Sequence, residues 1–230
     1  MTEMVKCKLN GRWEVVLPKH RADRPEWYTE TGWEKKRLEH MHSKIKSGNL
    51  VFYVGAEEGD MCALVARWGA QLLMFEPNDK VLPNIKAIWD ANDLSDSLFY
   101  KGFASDVTTV VDNAFVNISE ATGDVIPDHG FKELRDPGDI PQIRIDDIIT
   151  IPDFVVLDVE GAEGRVLRGA EQTLREHKPK IYLSLHPEFL HEQYGEWGAE
   201  LRKWIIDLGY KETLIDYPLH EVHLYYEAKK

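Results

Sequence analysis

Two glycines and a later glutamate mark a candidate nucleoside site in the first half of the chain. The apolar run Leu50–Val54 leads into a turn that contains Gly55 and Gly59, and Glu76 ends the next apolar run, 21 residues after Gly55. A strand, a glycine turn, a helix, a second strand and an acid form the βαβ unit that binds nucleosides, and the acid accepts hydrogen bonds from the ribose hydroxyls. We therefore expect a ligand that contains a ribose.

The negative charge of this turn indicates which kind of nucleoside ligand it can bind. Glu57, Glu58 and Asp60 lie where a dinucleotide site would present a helix N-terminus to a pyrophosphate. Three carboxylates would repel phosphate, and they favour a ligand that combines a ribose with a positive centre, such as S-adenosylmethionine. A nicotinamide oxidoreductase is disfavoured for the same reason.

A second group of acids follows a strand that the sequence predicts to be buried. Residues 153–158 are nearly all apolar up to Asp158, and Glu160 and Glu163 come directly after it. In an open α/β sheet the ligand lies at the carboxyl ends of the strands, and His186, which ends the next predicted strand, belongs to the same edge. We expect Asp158, Glu160 and His186 to be the catalytic residues, with His186 or a carboxylate as the general base.

The elements that would position these residues alternate between strand and helix. The Asn10-Gly11 turn predicts a hairpin over residues 8–18, and apolar spacing predicts a helix over 32–46. Further strands are predicted at 50–54, 71–76, 97–104, 153–158, 180–185, 213–216 and 221–226, and helices at 60–68, 79–91, 196–208 and around 166–174. Residues 119–141, rich in Gly, Pro and Asp, predict a functional loop. We assign residues 1–48 to an N-terminal hairpin and helix that cover the active site, and 49–230 to the main domain.

Composition limits the partners that the chain can recognise. The 230 residues carry a net charge of −12, and an acidic surface repels nucleic acid and anionic membranes because phosphate contacts need lysine and arginine. No apolar run approaches the ~20 residues that span a bilayer, and residues 1–6 lack the apolar core of a secretory signal. Cys7 and Cys62, the only cysteines, are too few for a disulfide framework. We predict a cytoplasmic protein with reduced thiols.

Three blocks of the sequence together resemble a known family. Residues 51–59 (VFYVGAEEG), 74–77 (MFEP) and 157–170 (LDVEGAEGRVLRGA) are similar to the successive signatures of the FkbM family of S-adenosylmethionine-dependent methyltransferases, over about residues 48–190. The resemblance implies a Rossmann-like class I methyltransferase fold of the α/β class. Its sheet would have seven mostly parallel strands with an antiparallel C-terminal hairpin and helices on both faces. The implied reaction is O-methylation of a sugar, polyketide or similar small-molecule or glycan hydroxyl.

The resemblance also implies which residues bind the cofactor. These are Tyr53, Gly55, Ala56, Glu57, Gly59, Glu76, Pro77, Ala104, Ser105 and Asp158. The chain departs from the family at Tyr53, where an acid is usual, at Glu57, where asparagine is usual, and at Val156 and Ser184, where lysine and glutamate are common. Without an acid at position 53, the chain lacks a usual contact with the amino group of the methionine part of the cofactor. We consider Glu57 or Glu58 as the residue that makes this contact instead.

Two alternatives stay open from the sequence. A divalent cation held by Asp158 and Glu160 would acidify the acceptor hydroxyl, but we favour a metal-free reaction. The departures at Tyr53 and Val156 are also compatible with a non-catalytic nucleotide-binding module of the same fold. The identity of the acceptor and a homodimeric state are not determined by the sequence.

Overall fold

Within the described residues, the N-terminal segment is a hairpin followed by two helices. The computed structural model describes residues 2–24, 34–109, 112–126, 138–218 and 220–229. Strands β1 (Met4–Leu9) and β2 (Trp13–Pro18) pair antiparallel around the predicted Asn10-Gly11 turn, where both residues have positive φ. Helix α1 (Lys19–Ala22) follows β2 directly, and α2 (Lys35–Lys44) corresponds to the predicted helix over 32–46. Trp33 of that prediction lies outside the described residues.

The first half of the main domain follows the predicted order of strand and helix. It consists of β3 (Leu50–Val54), α3 (Asp60–Arg67), β4 (Gln71–Glu76), α4 (Leu82–Ala91) and β5 (Leu98–Lys101). The predicted strand 97–104 is interrupted at Gly102, where a Cβ atom would lie 2.3 Å from the carbonyl oxygen of Pro141. The chain therefore continues as a separate short strand, β6 (Phe103–Ala104).

The segment between the two halves of the sheet contains little regular structure. The region 107–118 contributes β7 (Phe115–Asn117), and β8 (Gln142–Ile143) pairs parallel with β6 in a small separate sheet. Residues 127–137, which form the middle of the predicted functional loop at 119–141, lie outside the described residues.

The second half of the domain completes the sheet. Its elements are β9 (Phe154–Asp158), α5 (Glu163–Arg168), α6 (Glu171–Glu176), β10 (Lys180–Leu185), α7 (Pro187–Tyr194), α8 (Gly198–Asp207), β11 (Tyr210–Asp216) and β12 (Val222–Ala228). The single helix predicted around 166–174 is two helices, α5 and α6, and α7 was not predicted.

The main sheet brings the predicted strand ends to one edge. Within the described residues it has eight strands in the order β11-β12-β10-β9-β3-β4-β5-β7, with the five from β10 to β5 parallel and the two C-terminal strands antiparallel. We expected seven strands. The eighth is β7, which pairs antiparallel with β5 at one edge of the sheet. The carboxyl ends of β3, β4, β9 and β10 form a crevice edge, and buried apolar clusters cover both faces of the sheet.

None of the helices in the described ranges is both long enough and apolar enough to cross a membrane.

Asn92 fastens the hairpin to the main domain and provides a test of this packing. Its Oδ1 accepts from the backbone N of Val16 (2.9 Å), and its Nδ2 donates to the carbonyls of Val16 (2.7 Å) and Ile88 (2.8 Å). We predict that Asn92→Ala lowers the free energy of unfolding by about 1–3 kcal/mol, because it leaves the half-buried backbone N–H and carbonyl of Val16 without these partners. Urea denaturation measures this. The exposed amide variant Gln71→Ala is the control, and an equal effect of the two would contradict the prediction.

Candidate functional site

The glycine turn after β3 is pressed against the end of β9. The backbone N–H groups of Gly55 and Ala56 both donate to the carbonyl oxygen of Phe75, at 2.9 and 3.1 Å. Gly55 has a φ of +86°, and a Cβ atom there would lie 1.8 Å from the carbonyl oxygen of Asp158. A side chain at this position is therefore excluded, and the turn and Asp158 lie side by side.

Glu76 ends β4 beside the same turn. Its Oε2 accepts from the backbone N of Glu57 (3.1 Å), and its Oε1 accepts from the backbone N of Asn78 (3.0 Å). Burial raises the pKa of Glu76 to about 7, although the two backbone hydrogen bonds act in the opposite direction. Each carboxylate oxygen keeps a second lone pair, so Glu76 is able to accept from a pair of hydroxyls. Pro77 follows it and is half-buried.

The acids of the turn are paired with the N-terminal segment. Arg21, 1% exposed, donates to both carboxylate oxygens of Glu57 (2.9 and 3.0 Å) and to Asp60 (2.8 Å). His20 Nε2 lies 2.6 Å from Glu58 Oε2. The expectation that bare carboxylates repel phosphate is therefore corrected, because α1 supplies basic partners to all three. Because Glu57 and Glu58 are already paired with Arg21 and His20, the arrangement does not support either of them as the contact with a methionine amino group.

The other predicted cofactor residues are mostly packed inside the protein. Tyr53 is buried in the core, at 4% exposure, and Gly59 begins α3 with a φ of +84°. Ala104 lies in β6, and the hydroxyl of Ser105 donates to Gln142 Oε1 at 3.0 Å. The Ser105 hydroxyl is thus hydrogen-bonded to a side chain of β8, whereas the Gly55 turn and Glu76 border the crevice.

Six side chains of alternating acidic and basic type close a ring at the ends of β9 and β10; we refer to them as the charge ring. Four elements contribute to it, including α2 and the start of β12. Its successive contacts are Asp158–Arg37 (2.7 Å), Arg37–Glu34 (3.2 Å), Glu34–His223 (3.7 Å), His223–Glu221 (3.0 Å), Glu221–His186 (3.4 Å) and His186–Asp158 (3.8 Å). The ring joins the N-terminal segment to the crevice.

His186 is held as a cation. Its Nδ1 donates to Glu163 Oε1 at 2.8 Å, while Nε2 faces Glu221 and Asp158. Burial disfavours the charge, but the hydrogen bonds to Glu163 and Glu221 and the charge of Asp158 outweigh it and raise the pKa of His186 to about 11. An imidazolium has no lone pair to accept a proton. The structure therefore argues against His186 as the general base, and its role in this arrangement is to carry positive charge.

Asp158 is the most exposed member of the charge ring. Its side chain is 30% exposed, against 13% for Glu221 and 8% for Glu34. Glu160 lies in the turn after β9 with a φ of +50°, and its carbonyl oxygen accepts from Gln193 Nε2 (3.2 Å).

The sequence analysis missed most of the charge ring. Arg37 lies on the buried stripe of α2 that also contains Leu38 and Met41, and Glu34, directly before the helix, is buried as well. Charged residues on an apolar helix face are rarely buried without a partner, and that pattern was the available signal. His223 gives a similar signal within the otherwise apolar strand β12.

Three members of the ring also have the geometry of a metal site. Glu34, Glu221 and His223 each offer a ligand atom, and these atoms lie within 4.8 Å of one another. This set differs from the Asp158 and Glu160 pair considered from the sequence. Arg37 already places a positive charge on Glu34, so a metal is not needed to pair that carboxylate.

The sheet is Rossmann-like and has the fold that class I methyltransferases share. Residues 54–212 match the Methyltransferase FkbM domain, which is more than half of the chain. The chain belongs to the FkbM methyltransferase family. No curated protein matches it in sequence.

Solved structures share this fold at low sequence identity. The FkbM methyltransferase of Methylobacillus flagellatus is 20% identical with a TM-score of 0.52, over 78% of this chain and 43% of that one. The chain thus spans less than half of that protein. An rRNA methylase from Streptococcus thermophilus is 9% identical with a TM-score of 0.53, over 84% of this chain and 95% of that one. The magnesium protoporphyrin IX methyltransferase of Synechocystis, solved with bound S-adenosylmethionine, is 12% identical with a TM-score of 0.50, over 85% of this chain and 80% of that one. These likenesses show the fold alone.

The charge of His186 is testable by NMR. We predict that its imidazole stays protonated far above neutral pH and that Glu163→Gln lowers its pKa by about 1–3 units, because the variant keeps the acceptor but removes the charge. The folded-state pKa exceeds the usual value of about 6.5. The imidazolium therefore stabilises the fold fully below that pH, and the stabilisation is lost as pH rises toward about 11.

Ring chemical shifts followed against pH measure this, with the exposed variant Glu188→Gln as the control. Titration of wild-type His186 near its usual pKa would contradict the prediction.

Proposed function

We propose that this protein is an S-adenosylmethionine-dependent methyltransferase that methylates a hydroxyl oxygen of a small molecule or glycan. The observation that carries the proposal is the contact between the Gly55 turn and Asp158, with Glu76 at the end of the adjacent strand. Glu76, proposed to bind the ribose hydroxyls, and Asp158, proposed to take the proton, then lie on the two sides of one backbone turn. Membership of the FkbM family supports the methyl-transfer chemistry.

The crevice residues fit the nucleoside part of this cofactor. Glu76 offers two carboxylate oxygens to ribose hydroxyls, and its position is fixed by the backbone of Glu57 and Asn78. The Gly55 turn brings backbone close to the ligand without a side chain in between. Pro77 and Ala104 remain our proposed lining residues beside the nucleoside.

Asp158 is proposed to orient the acceptor and to receive its proton. S-adenosylmethionine supplies a methyl group on a sulfonium centre, so the protein has to provide position and charge. An alcohol is a weak nucleophile at neutral pH and gains from a positioned base. Arg37 and His186 flank Asp158, and we expect the Asp158 carboxylate to accept the proton as the hydroxyl attacks.

The acidic charge supports a small acceptor over a nucleic acid. A net charge of −12 disfavours a polyanion, and Asp158 lies between the N-terminal helix α2 and the glycine turn. We propose that residues 1–48 cover the bound acceptor and exclude water.

Cofactor binding is the first prediction of this proposal. We expect calorimetric titration to show binding of S-adenosylhomocysteine and none of NAD, with Glu76→Ala weakening the affinity about 10- to 100-fold through lost hydrogen bonds to the ribose. The affinity should rise as pH increases through about 7, because the ionised carboxylate is the better acceptor. The control is the exposed variant Asp79→Ala. Preferential binding of NAD, or an unchanged affinity in Glu76→Ala, would overturn the assignment.

Methyl transfer is the second prediction. Incubation with S-adenosylmethionine and a library of hydroxyl compounds should give a methylated product by mass spectrometry, and EDTA should leave the rate unchanged. We expect Asp158→Asn to lower kcat about 100-fold or more, because the amide cannot take the proton. The exposed variant Asp207→Asn should retain the wild-type rate. A protein that binds the cofactor but methylates none of the compounds would favour the non-catalytic module instead.

A further inference from the structure

Arg37 uses only one side of its guanidinium group within the charge ring. Its Nη1 donates to Asp158 (2.7 Å) and to both oxygens of Glu34 (3.2 Å). Nε and Nη2 are buried and have no hydrogen-bond partner in the described part of the chain. The whole side chain is 3% exposed, so water does not reach these donors either.

The two unbonded nitrogens form the edge of the guanidinium that recognises carboxylates. Nε–H and one N–H of Nη2 point in the same direction, and this pair matches the two oxygens of a carboxylate in a bidentate contact. Buried donors without an acceptor are unfavourable and rare in native proteins. Arg37 therefore keeps two donors for one anionic, two-oxygen group that reaches this edge.

The position of Arg37 identifies which carboxylate fits. Arg37 binds Asp158, whose backbone carbonyl contacts Gly55 in the cofactor turn. Tyr53, which stands where the family usually has an acid, is a buried neighbour of Arg37. These neighbours place Arg37 at the end of the crevice where β3 and β9 meet.

We propose that Arg37 binds the α-carboxylate of the methionine part of S-adenosylmethionine. This inference rests on the proposed function and deepens it. Arg37 lies outside the family match over residues 54–212, so the N-terminal helix supplies a contact to the cofactor from beyond the shared domain. The alternative ligand for the same two donors of Arg37 is a carboxylate on the methyl acceptor.

Ligand pairs that differ in one group test the proposal without changing the protein. S-adenosylhomocysteine carries the carboxylate, its decarboxylated analogue keeps the amine alone, and 5′-methylthioadenosine lacks both. By calorimetry, loss of the carboxylate should weaken binding to the wild type about 10- to 100-fold, as expected for hydrogen bonds to a charged group. Equal affinity for the first two ligands would overturn the proposal and would leave the acceptor as the source.

Variants then assign the effect to Arg37. Arg37→Met should bind S-adenosylhomocysteine and its decarboxylated analogue equally weakly, with unchanged affinity for 5′-methylthioadenosine. Lys36→Met, an exposed neighbour on the same helix, should behave as the wild type. If Arg37→Met still loses affinity when the carboxylate is removed, the proposal is wrong.

Two further outcomes keep the result interpretable. If Arg37→Met fails to fold, Arg37→Lys keeps the positive charge for Glu34 and Asp158 but lacks the bidentate edge; wild-type affinity of Arg37→Lys for S-adenosylhomocysteine would overturn the proposal. If the wild type binds neither S-adenosylhomocysteine nor 5′-methylthioadenosine, the proposed function fails. If the wild type binds S-adenosylhomocysteine and 5′-methylthioadenosine but loses no affinity when the carboxylate is removed, only the proposed role of Arg37 is rejected and the proposed function stands.

Discussion

Charge pairing between the N-terminal segment and the strand ends governs the architecture of the crevice. Buried carboxylates are unfavourable unless a cation and hydrogen bonds accompany them, and the crevice collects acids at the ends of β3, β4 and β9. Arg21 pairs the acids of the glycine turn, and Arg37 pairs Asp158 with Glu34. Both arginines precede the matched family domain. The segment before residue 49 is thus an electrostatic part of the site, in addition to any role in covering it.

This pairing divides the acids of the crevice into two groups. Glu57 and Glu58 are engaged by α1, and Glu163 is fully buried against His186. The half-buried Glu76 and the partly exposed Asp158 keep no basic partner from α1 and lie at the carboxyl ends of β4 and β9. These two carboxylates correspond to the two demands of methyl transfer to a hydroxyl, which are recognition of a ribose and removal of a proton. The abundance of acids in the sequence therefore overstates how many of them are available to a ligand.

The sequence predicted the sheet well because its signals are local. The apolar runs, the glycine turn and the strand-terminal residues Gly55, Glu76, Asp158 and His186 require only strand periodicity and the rule that ligands lie at carboxyl ends. It could not predict the protonation of His186, since that depends on Glu163 and on Glu221, which is remote in sequence. It also failed to identify Arg21 and Arg37, because pairing across 36 or 121 residues leaves no periodic pattern.

A crystal structure with bound S-adenosylhomocysteine tests the central claim most directly. The account predicts that Glu76 contacts the ribose hydroxyls, that the amino-acid end lies between the Gly55 turn and Asp158, and that the charge ring stays closed around His186. A ligand bound away from Glu76, or a crevice in which packed side chains seal the Gly55 turn, would contradict it.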